Sequence, residues 1–264
     1  MLEKIESLRE KLAPYSLYVI IFLSFFVRVV RVFTYPDIKK DAVLYFRLGK
    51  AWQDGGLALM NKIYEHLPPF YPLALGYVDS HGISMTFFAK SLSIILFVIS
   101  VPAFYYIAKN CLKESRSYLL ATLIYAMHPS LVKLSLEMLR DSYYIPCFVI
   151  SIAALFYAEN SKKLSSWVLF AILAVSGFMF RKEGVEVVLI FIVWSIVKVV
   201  LDKTKLKETV LQLFVVMLVY IPIGMSMQIA VQKAGYRWSA FPSHIITHQY
   251  EKLLIVLGVS EDEK

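Results

Sequence analysis

The chain has 264 residues, of which 58% are hydrophobic and only 18% charged, and its formal net charge is +8. A soluble domain carries about a quarter charged residues. Here the charges fall in short clusters between long apolar runs, and no polar face recurs at helical period, which excludes a soluble helical protein. The positive excess suits an anionic membrane face and requires no nucleic acid partner.

A helix needs roughly 20 apolar residues to cross the hydrocarbon core. On that measure the sequence predicts an all-α integral membrane protein with about seven transmembrane helices, at residues 15–33, 86–108, 118–136, 143–158, 165–180, 185–201 and 209–231. Residues 1–231 then form the membrane core and 232–264 a short outer C-terminal segment. Only Val32-Phe33-Thr34-Tyr35 follows the first span, with no small-residue cleavage site, so that span is an anchor. Lys and Arg crowd 1–14, 109–117, 159–164 and 198–208, which places those segments and the N-terminus in the cytoplasm and the C-terminus outside. Cys111 lies in an inner loop and Cys147 within a span, too far apart in depth to pair.

One connection stands out. Residues 34–85 form an outer loop, whereas the other connections are short. Within it, Leu44, Leu48, Ala51 and Trp52 follow i, i+4, i+7, i+8 spacing with Tyr45 beside them, which predicts an interfacial amphipathic helix over 41–54, ended by Gly55-Gly56. The segment His66-Leu67-Pro68-Pro69-Phe70-Tyr71-Pro72 is expected to be extended or turned, because prolines do not sit in a helix interior.

Charges at membrane depth are costly, so their positions are informative. Arg28 and Arg31 lie near the outer end of the first span, Lys90 opens the second, Lys133 and Glu137 close the third, and Arg140 and Asp141 follow. Arg181, Lys182, Glu183 and Glu186 lie in the next outer turn, and Lys198 is the inner exception. Snorkelling explains why single cations are tolerated there. An anionic ligand such as a lipid phosphate explains why they accumulate. Asp37, Asp41, Glu65, Asp79, Glu137, Asp141, Glu183 and Glu186 share the layer, and one of them could serve as a general base on a phosphate-linked donor, the others pairing locally. His244 and His248, four apart, are a weak metal pair, and no cofactor is expected.

These residues resemble the GT-C fold glycosyltransferases that use polyprenyl-phosphate sugars, the superfamily of protein O-mannosyltransferases and aminoarabinose transferases. The likeness rests on Asp41-Ala42-Val43-Leu44-Tyr45 after an Arg-bearing first span, on the 66–72 proline segment, on His128-Pro129 followed by Glu137-Met138-Leu139-Arg140-Asp141, and on Arg181-Lys182-Glu183-Gly184. The resemblance implies a donor whose lipid tail lies in the bilayer, inverting transfer to a lipid, glycan or protein acceptor at the outer face, and Asp41 as catalytic base, with Asp37 as its competitor. It implies Arg181 as the donor-phosphate contact, helped by Arg28, Arg31 or Arg140, with Glu137 and Asp141 as the second acidic motif and Tyr45, His66 and Glu183 lining the site. Family members commonly continue past seven spans, so a minimal member, a truncated one and half of a complex all remain open. A non-catalytic assembly partner and a lipid-linked-sugar flippase are the rival functions. A flippase would predict polar midplane groups and a repeated half, and neither is visible.

Overall fold

The computed structural model describes residues 2–35, 38–64 and 67–238. Among them there is no β-strand. The helices are α1 (Leu2–Thr34), α2 (Lys40–Ile63), α3 (Phe70–Ser80), α4 (Met85–Cys111), α5 (Ser115–Met127), α6 (Pro129–Leu134), α7 (Asp141–Ser161), α8 (Leu164–Phe180), α9 (Glu186–Leu201) and α10 (Leu206–Lys233). Short 3-10 turns at Lys182–Val185 and Lys203–Lys205 precede α9 and α10. Five segments are long and apolar enough to cross a membrane, carried by α1, α4, α7, α9 and α10, and α8 is a shorter apolar helix. The protein is therefore an all-α, multi-pass membrane protein.

The third predicted span is not one helix. It breaks at His128, whose ψ of 122° leaves the helical region, as expected for a residue before proline. Pro129 then opens the single-turn-and-a-half α6. Beyond it, residues 135–140 turn back without regular structure before α7 begins at Asp141.

The outer loop also differs from expectation in two places. The amphipathic helix does not end at Gly55-Gly56. It kinks there, with Gly56 at φ 68°, and resumes to Ile63 because Met60 is fully buried and Leu57 packs on the same core. A positive φ is inexpensive only for glycine. The proline segment opens a helix, α3, rather than remaining extended. Pro68 and Pro69 make the entry turn and Pro72 falls in the first helical turn, where backbone N–H groups lack intrahelical partners in any case. The α2 and α3 backbones touch: a Cβ on Gly76 would lie 2.5 Å from the Gly49 carbonyl oxygen.

Among the described residues two large apolar cores stand out, with smaller clusters joining α1, α4 and α5. One lies at the α2–α3 end of the bundle, where Tyr45, Tyr71, Leu75, Met138, Tyr143, Phe178, Tyr236 and Trp238 pack together. The other lies within the bundle, where Trp167, Phe170, Phe191 and Val216 join α8, α9 and α10. Residues after α10 also pack inward: the Tyr236 hydroxyl donates to the carbonyls of Tyr64 (3.1 Å) and Leu67 (3.0 Å), and the Trp238 ring meets those of Phe70 and Phe178. At the opposite end, Lys198 is paired with Glu159 at 2.9 Å and donates to Gln212, which accounts for the lone cation expected on that side.

Ser80 ends α3 just before α4 begins and Cys111 ends α4, so the length of α4 separates the two, and both are exposed. A cysteine at Ser80 is expected to react with an impermeant thiol reagent in intact cells while native Cys111 is not. Reaction of Cys111 alone would invert the orientation proposed below.

Candidate functional site

The site is built from the start of α2 upward. Lys39 is the N-cap residue, in extended conformation and without a side-chain cap, and Asp41 lies in the first turn. Its negative charge there is favoured by the helix dipole, though it caps nothing. Asp41 is exposed, with no hydrogen bond or ion pair among the described residues. At 100° per residue it shares a helical face with Tyr45, Leu48 and Trp52, the face turned to the bundle, so the carboxylate stands where that face emerges at the helix end.

The Tyr45 hydroxyl gathers the predicted site. It lies within electrostatic reach of Arg140, Asp41, Asp141 and Arg181, and burial pushes its phenol above the usual range. Four residues from three separated stretches of chain, all singled out in the sequence, thus lie within charge–charge range of one buried phenol.

Arg181 is strongly engaged. Its Nη1 donates to Asp141, and its Nε and Nη2 donate to Glu183 at 3.1 and 3.0 Å. Its guanidinium also lies over the Tyr144 ring, 5.6 Å from the centroid. The hydrogen bonds it donates to Glu183, with Asp141 beside it, raise its already high pKa further. Tyr144 in turn donates to Glu186 at 3.0 Å. Arg140, in contrast, forms no salt bridge among the described residues, although it is only partly exposed.

Glu137 is buried and held from the α2 side. The Lys39 ammonium lies 2.6 Å away and the Tyr35 hydroxyl donates at 3.4 Å. The bond to Glu137 raises the Lys39 pKa. The next residue, Met138, has φ 52°, a left-handed conformation that is uncommon for a non-glycine side chain. Its carbonyl accepts from the Tyr71 hydroxyl at 2.8 Å, and Tyr143, its ring tilted against that of Tyr71, donates to the Ala89 carbonyl at 2.8 Å.

Not all the expected residues join this group. Arg28 is fully buried among α1, α4 and α5, donating to Ser24 and to the Ala126 carbonyl at 2.9 Å and lying over Phe97. It ties helices together, and its burial argues against a contact with donor phosphate. Arg31 lines a different slot, beside Lys133. Asp79 is bound to Lys50 and Gln53 on the far side of α2, and these bonds hold its carboxyl below the usual range. Asp37, Glu65, His66, His244 and His248 lie outside the described residues. Sequence reasoning missed Lys39, Tyr71, Tyr143 and Tyr144. Only Tyr71 carried a signal, its place inside the proline segment.

Residues 82–225, more than half of the chain, match the family described as dolichyl-phosphate-mannose-protein mannosyltransferase. No curated protein and no solved structure matches significantly. The chain belongs to this mannosyltransferase family, and is thereby a membrane glycosyltransferase of the GT-C type. The match takes in the 128–141 and 181–184 motifs but begins after Asp41 and the proline segment.

Gly184 keeps the Arg181 turn folded against α8. A Cβ there would lie 2.3 Å from the Phe178 backbone nitrogen, and neither backbone can yield cheaply. Gly184→Ala is expected to lower stability by at least ~1–3 kcal/mol, the usual cost of overpacking, read as a drop in melting temperature in detergent. An unchanged melting temperature would show that the turn relaxes freely.

Proposed function

We propose that the enzyme transfers a hexose from a polyprenyl-phosphate carrier to an acceptor hydroxyl or amine at the outer membrane face, with inversion. What supports this is the Arg181 network, whose ion pairs to Asp141 and Glu183 join the 137–141 and 181–184 motifs, together with the electrostatic coupling of Tyr45 to Asp41, Arg140, Asp141 and Arg181. Asp41 takes the acceptor proton as the acceptor oxygen or nitrogen bonds to the anomeric carbon. The bond from that carbon to the phosphate oxygen breaks on the opposite face, and the electron pair leaves with the lipid phosphate. Stabilising that developing charge is the larger catalytic contribution.

Arg140 takes the phosphate in this scheme. Three of the five N–H donors of Arg181 are engaged by Asp141 and Glu183, whereas Arg140 has no carboxylate partner among the described residues and offers its whole fork. Arg181 fixes the turn and adds positive charge beside the phosphate. The family description supports a protein acceptor, with a lipid or glycan acceptor as the alternative. Incubating the purified enzyme with radiolabelled polyprenyl-phosphate sugars tests the function directly: sugar is expected to leave the lipid, and a carrier that stays fully charged with every sugar and acceptor tried would overturn it.

Asp41→Asn separates charge from catalysis. Asp41 makes no side-chain hydrogen bond among the described residues, so the loss is limited to its dipole interaction, about 0.3–1 kcal/mol. An amide cannot act as general base, and turnover should fall at least ~100-fold with the fold intact. Near-normal turnover would remove the base from Asp41, and an inactive Asp37→Asn would move it upstream.

Arg140→Ala should raise the donor KM and lower kcat, with Arg140→Lys recovering part of both, since Lys supplies charge without the planar fork. If Arg181→Lys proves the more damaging change for donor use at equal stability, the phosphate belongs to Arg181.

A further inference from the structure

Between α1 and the α5–α6 break lies a slot of about 320 Å³ on the flank of the bundle. Val27, Pro129 and Leu136 form its apolar walls, and Arg31, Lys133 and Tyr35 its polar ones. Arg31 and Lys133 are exposed, and neither forms a salt bridge among the described residues. Elsewhere Lys39, Lys50, Arg181 and Lys198 each have a carboxylate partner.

Nearby charge does not cancel this pair. Glu137, next in sequence to the wall residue Leu136, is engaged by Lys39 at 2.6 Å. Arg28, one turn deeper on α1, adds a third, fully buried positive charge, and its Nε and Nη2 have no partner. A cleft lined by one sign of charge with low-dielectric walls concentrates the opposite ion. The adjoining surface of α1 is apolar and exposed at Phe26, Val30 and Phe33, which is where an acyl or prenyl chain would lie.

Two unpaired cations call for a dianion rather than a monoanion. A phosphate monoester carries about −1.5 to −2 at neutral pH, a diester about −1. We infer that this slot binds the headgroup of a lipid phosphate monoester, with its chain along α1, separately from the Arg140–Arg181 group. In the transfer proposed above, the carrier arrives as a phosphodiester and leaves as a monoester, so a monoester-selective slot would hold the discharged carrier. That last step rests on the proposed reaction; the binding site does not.

The test titrates the full chain in detergent with short-chain phosphatidic acid, phosphatidylglycerol, diacylglycerol and inorganic phosphate, with bound ligand read by native mass spectrometry. Phosphatidic acid should bind at least ~10-fold tighter than the other three, in line with a gain of about one charge-assisted contact. The Arg31→Gln, Lys133→Gln double variant should lose that preference at unchanged melting temperature, and Arg181→Ala should keep it. Equal binding of phosphatidylglycerol or diacylglycerol, competition by inorganic phosphate at the same concentration, wild-type binding by the double variant, or loss in Arg181→Ala would each overturn the site. Absence of sugar transfer by the wild type would leave this binding result standing and count against the proposed reaction alone.

Discussion

The hydrogen bond from Tyr71 to the carbonyl of Met138 answers a problem that the broken third span creates. Backbone that leaves a helix at membrane depth loses its own partners and cannot find them in lipid, so such segments occur only where protein or trapped water satisfies them. Much of the backbone of 135–140 finds partners in the protein. The Met138 carbonyl accepts from Tyr71, the Leu139 and Arg140 carbonyls accept from the first amides of α7, and the Met138 side chain is itself fully buried. With that turn fixed, Glu137 is delivered to Lys39, and Arg140 and Asp141 to the group around Tyr45 and Arg181, within five residues.

Its electrostatics sort the charged layer into structure and chemistry. Some cations are consumed by carboxylates: Arg181 by Asp141 and Glu183, Lys198 by Glu159, and Lys39, which the sequence did not single out, by Glu137. The Lys39–Glu137, Arg181–Asp141 and Lys198–Glu159 pairs hold loops in register, since each links elements far apart in the chain. The charges left over are the informative ones. Asp41 and Arg140 stand near each other around Tyr45, and Arg31 and Lys133 stand apart from them, facing the slot.

The helices α1, α4, α7, α9 and α10 were legible because each is a long apolar run, and hydropathy suffices for that. The same measure ran across His128-Pro129 without noticing the break, since the residues on both sides are apolar. It was the proline rule that carried the information. Prolines misled at α3, where three of them within 68–72 suggested extended chain although Pro72 falls in a helical first turn. Among site residues, Asp41, Tyr45, Arg140, Asp141 and Arg181 were legible through short motifs. Arg28 was not distinguishable from Arg31 by sequence, because one turn of helix decides which of them faces Ala126 and which the membrane flank. Tyr71 could not be given its role either, as its partner lies 67 residues away.

That same distance bears on how such an enzyme can diversify. The α2–α3 loop and the 135–140 turn are tethered through Tyr71, and the loop is fastened again from the C-terminal side by Tyr236 and Trp238. A recombination crossover within α4 or α5 would pair the loop of one parent with the turn of another and leave the Met138 carbonyl facing an unmatched partner. New acceptor preferences would therefore arise more readily by point changes on the exposed face of α2 than by exchange of whole loops.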